Sequence, residues 1–372
     1  MRFTIKREEF LKGVSTASRA VTPKAGALPI LTNLKIELNE NGMFIVGSNY
    51  DFTIRSFVPY RRNEIIRNYK EGSILLNSKI INDCIRKMDS DEVTVELVDS
   101  SLVQITNNCS DYRLDCARAE EYPDLDLEPD GVEISLSKHD FSLLVSQTAF
   151  AASIKEQRPV LTAVNLEAGE GKLIATATDS ARMAQKTILI PSDINFVANI
   201  PAKMMVEVDR LTDNVENVNI SVNDKKALFA FDNTLVATRL IAGEYPNTKS
   251  IIPHITNYSL EVNSSDLMKA IDRANTLSLD RENVVQLSMN EDELTASSKS
   301  SQIGSSTEKI AKFNFEGNNL QISFNSEFVL AAIRALDCED VTFLFVGEMK
   351  PFVVKNALDD SVLQIVTPVR TF

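Results

Sequence analysis

The sequence predicts an α+β protein in which one domain, with helices on one side of antiparallel sheets, is repeated three times. The first observation is an arginine that recurs at 86, 210 and 334, so that each interval equals one third of the 372 residues. The second is a similar stretch of sequence around each arginine. The third is length, because a chain of this size exceeds one ordinary hydrophobic core.

The repeated stretch contains a helix, an alternating strand and a closing proline. Its first two copies end on Glu121-Tyr122-Pro123 and Glu244-Tyr245-Pro246. The three copies are Leu76–Pro123, Ile200–Pro246 and Phe324–Pro368. This repeat predicts domain 1 at residues 1–125, domain 2 at 132–250 and domain 3 at 257–372, joined by acidic linkers that contain proline.

Each third is predicted to begin with a short strand and an amphipathic helix, because apolar residues recur there at helical spacing. The predicted helices are Glu8–Val21, Lys138–Ala152 and Ser264–Leu277. Ser137 and Ser264 are predicted N-caps, since a serine oxygen can accept a hydrogen bond from the first turn. A hairpin follows each helix, and in the first third it turns at Asn41-Gly42.

The second helix of each unit is predicted to have an apolar face and a basic face. Ile80, Ile81, Cys84 and Ile85 form the apolar stripe of the first copy, and only Asp209 interrupts the equivalent stripe of the second. The opposite face carries residues seven positions apart, namely Lys79 and Arg86, Lys203 and Arg210, and Glu327 and Arg334. The recurring arginine has two explanations that the sequence favours about equally. It contacts an anionic partner such as nucleic acid, or it is a surface residue inherited with the repeat.

The composition is that of a globular protein, with 44% hydrophobic and 24% charged residues. No apolar run reaches the roughly 18 residues of a membrane helix, and Met1–Lys6 lacks the apolar core of a signal peptide. The four cysteines (Cys84, Cys109, Cys116 and Cys338) show no paired spacing, which is typical of free thiols in a reducing compartment. We therefore expect a cytoplasmic protein without a membrane partner.

The sequence offers little for catalysis or metal binding. His139 and His254 are too few for a zinc site or a Ser-His-Asp arrangement. The run Gly169–Lys172 lacks the spacing of a phosphate-binding loop and is interpreted as a hairpin turn. We expect no enzyme, no metal and no cofactor. The alternative is an enzyme that uses Asp179 or the carboxylates of Glu120–Glu128.

Several short motifs, spread over the whole chain, resemble those of one family. They are Met1–Ile5, Leu28–Leu34, Thr178–Ala184, Glu244–Pro246 and Thr367–Arg370. On this threefold repeat they resemble the bacterial sliding clamps, the beta subunits of the replicative DNA polymerase III holoenzyme. The resemblance implies three DNA-clamp domains per chain and a head-to-tail homodimer that encircles duplex DNA during replication. Twelve inner helices at about 9 Å spacing would leave an opening of about 24 Å inside the outer sheets.

The resemblance also reconciles the net charge of −13 with a DNA partner, because acidic residues can lie on the outer sheets while basic residues line the hole. It implies that Lys24 and Lys155 lie in loops near DNA. It places Arg86, Lys203 and Arg210 on the lining helices, and the repeat adds Arg334.

The family has one pocket per chain for a short hydrophobic motif of polymerases, the clamp loader, ligase and mismatch-repair proteins. By position, its residues here are Leu161, Thr178, Arg182, Met183, Pro246, Ile251, Pro351, Ile365, Val366, Pro368, Val369 and Arg370. An apolar cleft with a few polar groups suits an extended peptide. The chain departs from the family at Ser180 and Ala181, where Gly and His are common, and at Thr367 and Val369 beside Pro368.

For the dimer interface, the resemblance implies Tyr112 and Leu114 of one copy against Leu277 of the other. The expected function is a clamp that confers processivity on the replicative polymerase. The alternative is a repeat scaffold that binds only proteins and does not encircle DNA. The two differ in whether Arg86, Arg210 and Arg334 face a common cavity.

Overall fold

The computed structural model describes residues 1–22, 28–60, 64–155, 157–253, 255–277, 283–300 and 304–370. Its regular elements are helices and antiparallel strands, which confirms the predicted α+β class. Contacts divide the chain into two compact units, Met1–Lys138 with Arg210–Leu240 and His139–Asp209 with Ile241–Phe372. None of the described helices is long and apolar enough to cross a membrane.

The three repeats share one order of elements, except that the second has ten elements among the residues described and the first and third have an additional strand. The first contains β1 (Arg2–Lys6), α1 (Arg7–Ser18), β2 (Asn33–Asn39), β3 (Gly42–Ser48), β4 (Phe52–Pro59), β5 (Ile66–Lys70), β6 (Gly72–Asn77), α2 (Ser78–Lys87), β7 (Glu92–Leu97), β8 (Leu102–Thr106) and β9 (Asp111–Asp115). The second contains β10 (Val132–Ser137), α3 (Lys138–Thr148), β11 (Ala163–Gly169), β12 (Lys172–Thr178), β13 (Arg182–Leu189), β14 (Phe196–Pro201), α4 (Ala202–Leu211), β15 (Asn217–Val222), β16 (Lys226–Phe231) and β17 (Thr234–Arg239).

The third repeat contains β18 (Tyr258–Asn263), α5 (Ser264–Asn275), β19 (Val284–Met289), β20 (Leu294–Ser300), β21 (Gly304–Ile310), β22 (Phe313–Glu316), β23 (Leu320–Asn325), α6 (Ser326–Leu336), β24 (Asp340–Phe345), β25 (Phe352–Asn356) and β26 (Asp359–Val366). The predicted hairpin is confirmed as β2 and β3, but its turn lies one residue earlier than predicted, at Glu40-Asn41, because Gly42 already pairs with Asn39.

The strands in the described part of the chain form four antiparallel sheets, two in each compact unit. The first unit holds the orders β5-β1-β7-β8-β9 and β10-β15-β16-β17-β4-β3-β2-β6. The second holds β14-β11-β12-β13-β26-β25-β24-β18-β22 and β21-β20-β19-β23. Strands of different repeats therefore share the eight-stranded and the nine-stranded sheet.

Two strand pairs join successive repeats in the same way. β4 pairs with β17, with Phe52 opposite Thr238, and β13 pairs with β26, with Arg182 opposite Val366. One residue beyond each pair, a backbone amide donates back across the joint. Arg239 N–H donates to the Asp51 carbonyl, and Thr367 N–H donates to that of Ala181, both at 2.9 Å. The chain thus builds one kind of joint twice.

Each helix buries one face against its own sheets. α1 buries Phe10, Val14 and Ala17, and the ring of Phe10 meets that of Phe3 on β1 edge to face at 5.7 Å. In the third repeat, α5 and α6 bury Leu267, Ile271, Val329 and Ile333 in one core cluster. Burial of these aliphatic and aromatic side chains stabilises each repeat by about 1.5–3 kcal/mol per side chain.

The predicted helix cap at Ser264 is wrong, because Asn263 occupies the cap position. Its side chain accepts a hydrogen bond from Asp266 N–H at 3.2 Å, and Ser264 is the first helical residue. Asn77 and Asn325 cap α2 and α6 in the same way. Asparagine and serine are comparable caps, so the sequence did not distinguish the two neighbouring positions.

The apolar stripe predicted for the second helices is confirmed except at Ile80, whose side chain is 48% exposed. The buried face of α2 runs through Ser78, Ile81 and Ile85, at spacings of three and four residues, so Ile80 falls beside it. In α4 the interruption at Asp209 has a partner, since the carboxylate accepts a hydrogen bond from Ser142 Oγ on α3 at 2.6 Å.

The acidic linker after β9 is partly packed rather than simply solvated. Leu127 is buried and packs against Leu228 and Leu235. Lys226 Nζ donates to the carboxylate of Asp126 and, at 2.8 Å, to the carbonyl of Glu128. The linker is therefore fixed to the sheet that contains β16.

Candidate docking surface and basic helix faces

The turn between β12 and β13 is held by its own polar groups. Thr178 Oγ1 donates to the Arg182 carbonyl at 2.6 Å and accepts from Ser180 N–H at 3.1 Å. Asp179 Oδ1 accepts from the amides of Ala181 and Arg182 at 2.9 and 3.0 Å. Ser180 has a φ of 78°, in the left-handed region that favours glycine. These bonds give Asp179 a structural role in the turn.

Arg182 is fixed at this turn by charge and by aromatic rings. Its Nε lies 3.0 Å from Asp179 Oδ2, and both side chains are 17% exposed. Its guanidinium carbon lies 4.5 Å from the ring centre of Phe328 on α6 and 5.5 Å from that of Phe150. A cation over aromatic rings is stabilised by about 0.5–2 kcal/mol, more when water is excluded. Arg182 therefore links β13 to an element of the third repeat.

Tyr245 holds the same turn from the linker. Its hydroxyl accepts a hydrogen bond from Thr178 N–H at 3.0 Å. Burial raises the pKa of Tyr245 to about 12, so the hydroxyl is un-ionised at neutral pH. Its neighbour Pro246, a predicted pocket residue, is exposed beside it.

An apolar cluster lies where β13 pairs with β26. Met183 faces Ile365 in the register, and Ile365 faces Val353 on β25. These three side chains are at most 4% exposed and pack with Ile252 and Leu344. The structure thus brings the predicted residues Thr178, Arg182, Met183, Ile365 and Val366 together on the neighbouring strands β12, β13 and β26.

The other predicted pocket residues are placed as follows. Leu161 is buried in the 3₁₀ helix Pro159–Thr162, and Pro351 directly precedes β25. Pro368 is buried, and Val369 N–H donates to the Ser323 carbonyl of β23 at 2.7 Å. Ile251 is 42% exposed and Arg370 is also exposed. Sequence reasoning missed Phe150, Phe328 and Tyr245, although the recurrence of Tyr122 at Tyr245 was a usable signal.

The predicted DNA-binding residues lie on exposed helix faces or in loops. Arg86 on α2, Lys203 and Arg210 on α4, and Arg334 on α6 are all exposed, on the side opposite the buried residues of their helices. Arg86 Nη1 lies 3.7 Å from Asp83 Oδ1, within the same helix. Lys155 is exposed after the third helix, and Lys24 lies outside the described residues.

The predicted dimer residues lie at two sheet ends. Tyr112 and Leu114 are half-buried on β9 and pack against the core of the first unit. Leu277 is half-buried just after α5, and α5 contacts β21 through Ser306 Oγ, which donates to the Ala274 carbonyl at 2.9 Å. β9 and β21 are end strands of their sheets.

Cysteine and histidine provide no metal centre within the described ranges, where no group of three or more His, Cys, Asp or Glu side chains could hold an ion. Cys109 is an exposed free thiol, while Cys84, Cys116 and Cys338 are half-buried free thiols. His139 is exposed at the start of α3, and His254 lies outside the described residues.

Three repeats of two helices each, whose strands form four sheets and join successive repeats through β4–β17 and β13–β26, define the sliding-clamp class of fold. The crystal structure of the Bacillus subtilis DNA polymerase sliding clamp matches with a TM-score of 0.96 at 33% identity, over 100% of both chains. The DNA polymerase III beta chain of Streptococcus pneumoniae TIGR4 matches with a TM-score of 0.95 at 29% identity, again over 100% of both.

Curated relatives give the same result. The beta sliding clamps of Bacillus subtilis (strain 168) and Staphylococcus aureus (strain N315) are each 34% identical, over 379 and 378 residues and 100% of each chain. The N-terminal, central and C-terminal domain families of the DNA polymerase III beta subunit match residues 1–126, 135–247 and 249–370. The chain belongs to the DNA polymerase III beta subunit family.

Proposed function

We infer that two copies of this chain join head to tail into a ring that encircles duplex DNA and tethers the replicative polymerase. The observation that carries this inference is the repeated joint between β4 and β17 and between β13 and β26. A third joint of the same kind would pair β9 with β21, the end strands that correspond to these partners. When this contact joins the third repeat of one copy to the first repeat of another, two such contacts close a dimer of six repeats.

The internal joints also predict the register of this third joint. Ala117, Ile241 and Val369 are equivalent, because their amides donate to the carbonyls of Leu75, Asn199 and Ser323. Counting back two residues makes Asp115 the equivalent of Arg239 and Thr367. In the two internal joints, the residue before Arg239 or Thr367 faces the first residue of β4 or β13. The same register places Leu114 opposite Gly304, the first residue of β21, and Tyr112 opposite Ser306 of the other copy. Ser306 is hydrogen-bonded to α5, and α5 ends two residues before Leu277. Tyr112, Leu114 and Leu277 would therefore belong to one interface.

The DNA-facing surface is proposed to be the exposed basic side of the second helices. Arg86, Lys203, Arg210 and Arg334 are exposed on those helices, and Lys155 is exposed after α3. Lys24, which lies outside the described residues, is added because of its position in the family. Cations of this kind attract phosphates regardless of base sequence. A ring would add topological retention, so no catalytic residue, metal or cofactor is needed. The site of action is the cytoplasm, where replication takes place.

The docking surface is proposed to be the region around Arg182. An apolar cluster of Met183, Ile365 and Val353 lies beside a fixed guanidinium and the exposed Pro246. The cluster itself is buried, so an extended hydrophobic peptide would pack against the partly buried Ile252, Leu344 and Leu363 that border it, while its polar groups meet Arg182. We expect the replicative polymerase, the clamp loader, ligase and mismatch-repair proteins to share this surface.

The ring is tested by loading the protein onto nicked circular DNA and then linearising half of the sample. A topological ring stays on the circle and leaves through the free ends of linear DNA. A control blocks both ends with a bulky bound protein, which restores retention. Equal retention on circles and unblocked linear DNA would overturn the ring, and a failure to bind either would favour a scaffold that binds only proteins.

A further inference from the structure

In the first and third repeats, the first strand has an extra neighbour that the second repeat lacks. β5 pairs antiparallel with β1, with Arg67 opposite Thr4 and Lys70 opposite Arg2. β22 pairs antiparallel with β18, with Phe315 opposite Leu260. Ile66 of β5 and Phe315 of β22 are buried by this pairing. The extra strand therefore covers an edge of the sheet and adds an apolar side chain to the core.

The equivalent edge in the second repeat is not paired with any of the described strands. β10 is the end strand of the eight-stranded sheet, with β15 as its neighbour. The connection that supplies the extra strand in the other repeats, residues 60–71 and 311–319, is reduced to residues 190–195 and contains no strand. The second repeat lacks the extra strand because its connection is shorter.

The backbone of β10 presents hydrogen-bonding groups along this open edge. Lys138 N–H donates to the Glu216 carbonyl at 2.8 Å, and this bond shows which residue pairs of the β10–β15 ladder are hydrogen-bonded to each other. In an antiparallel ladder, bonded pairs alternate with pairs whose N–H and C=O groups point away from the partner. Glu133 and Ser135 belong to the second kind, and within the described part of the chain they have no backbone partner on the open side.

The first repeat shows how such an edge is used. Arg7 N–H donates to the Asp91 carbonyl at 2.9 Å, which gives β1 the same alternation as β10. Lys6 N–H then points outward and donates to the Ile65 carbonyl beside β5 at 3.0 Å. Thr4 and Arg2 of β1 correspond to Ser135 and Glu133 of β10. A strand on the open edge would therefore place its equivalent of Lys70 opposite Glu133.

A groove on the same sheet ends at this edge. Its volume is about 300 Å³, and two cross-strand rows line it: Glu133, Ser221 and Leu228 in one, and Ser135, Asn219 and Ala230 in the other. The groove is polar and acidic at β10 and apolar at β16. Both rows cross from β10 over β15 to β16, so a side chain from an added strand could lie in the groove, with its apolar part near Leu228 or its cationic end near Glu133.

We propose that the open edge of β10 binds an extended segment of a partner protein as one further antiparallel strand. The segment alternates apolar residues, on the face of Ile134 and Leu136, with polar residues that include a cation opposite Glu133. β5, with the sequence Ile66-Arg67-Asn68-Tyr69-Lys70, is the internal example of such a segment. Exposed strand edges accept peptides in this way, with main-chain hydrogen bonds for affinity and side chains for specificity. This surface is separate from the one around Arg182.

The first experiment uses a labelled synthetic peptide with the sequence of residues 64–71 as the probe and the full-length protein as the receptor. Saturable binding is expected, with slower hydrogen exchange at the amides of Glu133 and Ser135. A peptide carrying Arg67→Pro lacks the N–H that faces Ser135 and is expected to bind about tenfold more weakly or worse. A scrambled peptide is the composition control.

Variants of the protein locate the site. Ser135→Pro removes an outward amide without breaking the β15 ladder and is expected to weaken binding about tenfold, whereas Ser135→Ala keeps the amide and the affinity. Glu133→Lys leaves the backbone unchanged and is expected to weaken binding, because it places a like charge opposite Lys70 of the peptide. Equal affinity in Ser135→Pro and Ser135→Ala, protection in a strand other than β10, or no binding by the wild-type protein would each overturn the proposal. Sedimentation that shows further self-association through β10 would also overturn it, because a second copy would then occupy the edge.

Discussion

At the scale of single residues, Arg182 determines the shape of the candidate docking surface. The guanidinium lies over Phe328 and Phe150 and is paired with Asp179, so its planar group is fixed before any peptide arrives. A preorganised cation loses little side-chain entropy on binding. Lysine has the same charge but lacks the planar guanidinium group, so it would not reproduce these contacts.

Replacing Arg182 by Ala is expected to weaken binding of a polymerase-derived hydrophobic peptide by about tenfold, or about 1.4 kcal/mol, because the turn and the two rings lose their shared partner. Arg182→Lys is expected to give an intermediate affinity. Isothermal titration of the peptide into each variant measures both. Wild-type affinity in Arg182→Ala would show that peptides bind elsewhere.

The buried side chain of Lys186 stabilises the joint between β13 and β26. Lys186 is 4% exposed, and its Nζ donates to Ser361 Oγ at 2.6 Å and to Asp359 Oδ2 at 3.3 Å. Burial alone would raise the pKa of Asp359, but the hydrogen bonds from Ser361 and the charge of Lys186 lower it overall. The stabilisation is therefore present above the unfolded pKa of about 3.9 and is lost as the pH falls through the folded value.

Asp359→Asn is expected to lower the free energy of unfolding at pH 7 by about 1 kcal/mol, a value reduced for solvent screening because Asp359 is 37% exposed. Wild type and variant are expected to converge as the pH falls below the lowered folded-state pKa of Asp359, because the carboxyl is then protonated in both the folded and the unfolded state. Denaturant titrations at several pH values measure the difference. Asp360→Asn is the matched control, since Asp360 is 89% exposed and pairs only at the surface with Lys355. A constant difference at all pH values would contradict this account.

At the scale of elements, the second helices combine a buried face with an exposed basic face. The sequence predicted both faces, because residues three, four and seven positions apart share a side of a helix and the arginine recurs in every repeat. It could not predict the contact of Arg182 with Phe328, since these residues come from different repeats and only the strand joint brings them together. It also missed β5 and β22, which are short and mostly polar.

Replacing Arg86, Arg210 and Arg334 together by Ser is expected to weaken retention on DNA and to lower the slope of log affinity against log salt by about 1 per arginine. The exposed Lys172 on β12 provides the matched control, and Lys172→Ser is expected to keep the wild-type slope. Fluorescence anisotropy with a short duplex at several salt concentrations gives both slopes. Equal slopes in the triple variant and the control would show that the helices do not face DNA.

At the scale of the whole molecule, one joint used repeatedly explains the architecture. The β4–β17 and β13–β26 pairs use equivalent strands in equivalent registers, and β9 and β21 are the remaining members of the series. A chain with two complementary strand edges at opposite ends of its repeat series forms rings or filaments, depending on the angle at each joint. A closed dimer leaves neither edge exposed, which removes a route to aggregation.

Closure can be tested by a disulfide placed across the proposed joint. Arg113→Cys and Ser305→Cys would face each other on β9 of one copy and β21 of the other, in a Cys109→Ser background that removes the exposed thiol. Directly opposed strand residues lie about 4.5–5.5 Å apart, within reach of a disulfide. Arg113→Cys with Lys309→Cys, four residues farther along β21, is the control outside the predicted register.

The decisive measurement is whether the oxidised double variant, loaded on nicked circular DNA, stays on the circle in denaturing detergent. A head-to-tail ring predicts a dimer with two cross-links that is retained until the DNA is linearised or the disulfides are reduced. Cross-linked filaments, cross-linking only in the control pair, or complete release from circular DNA by detergent would contradict the ring.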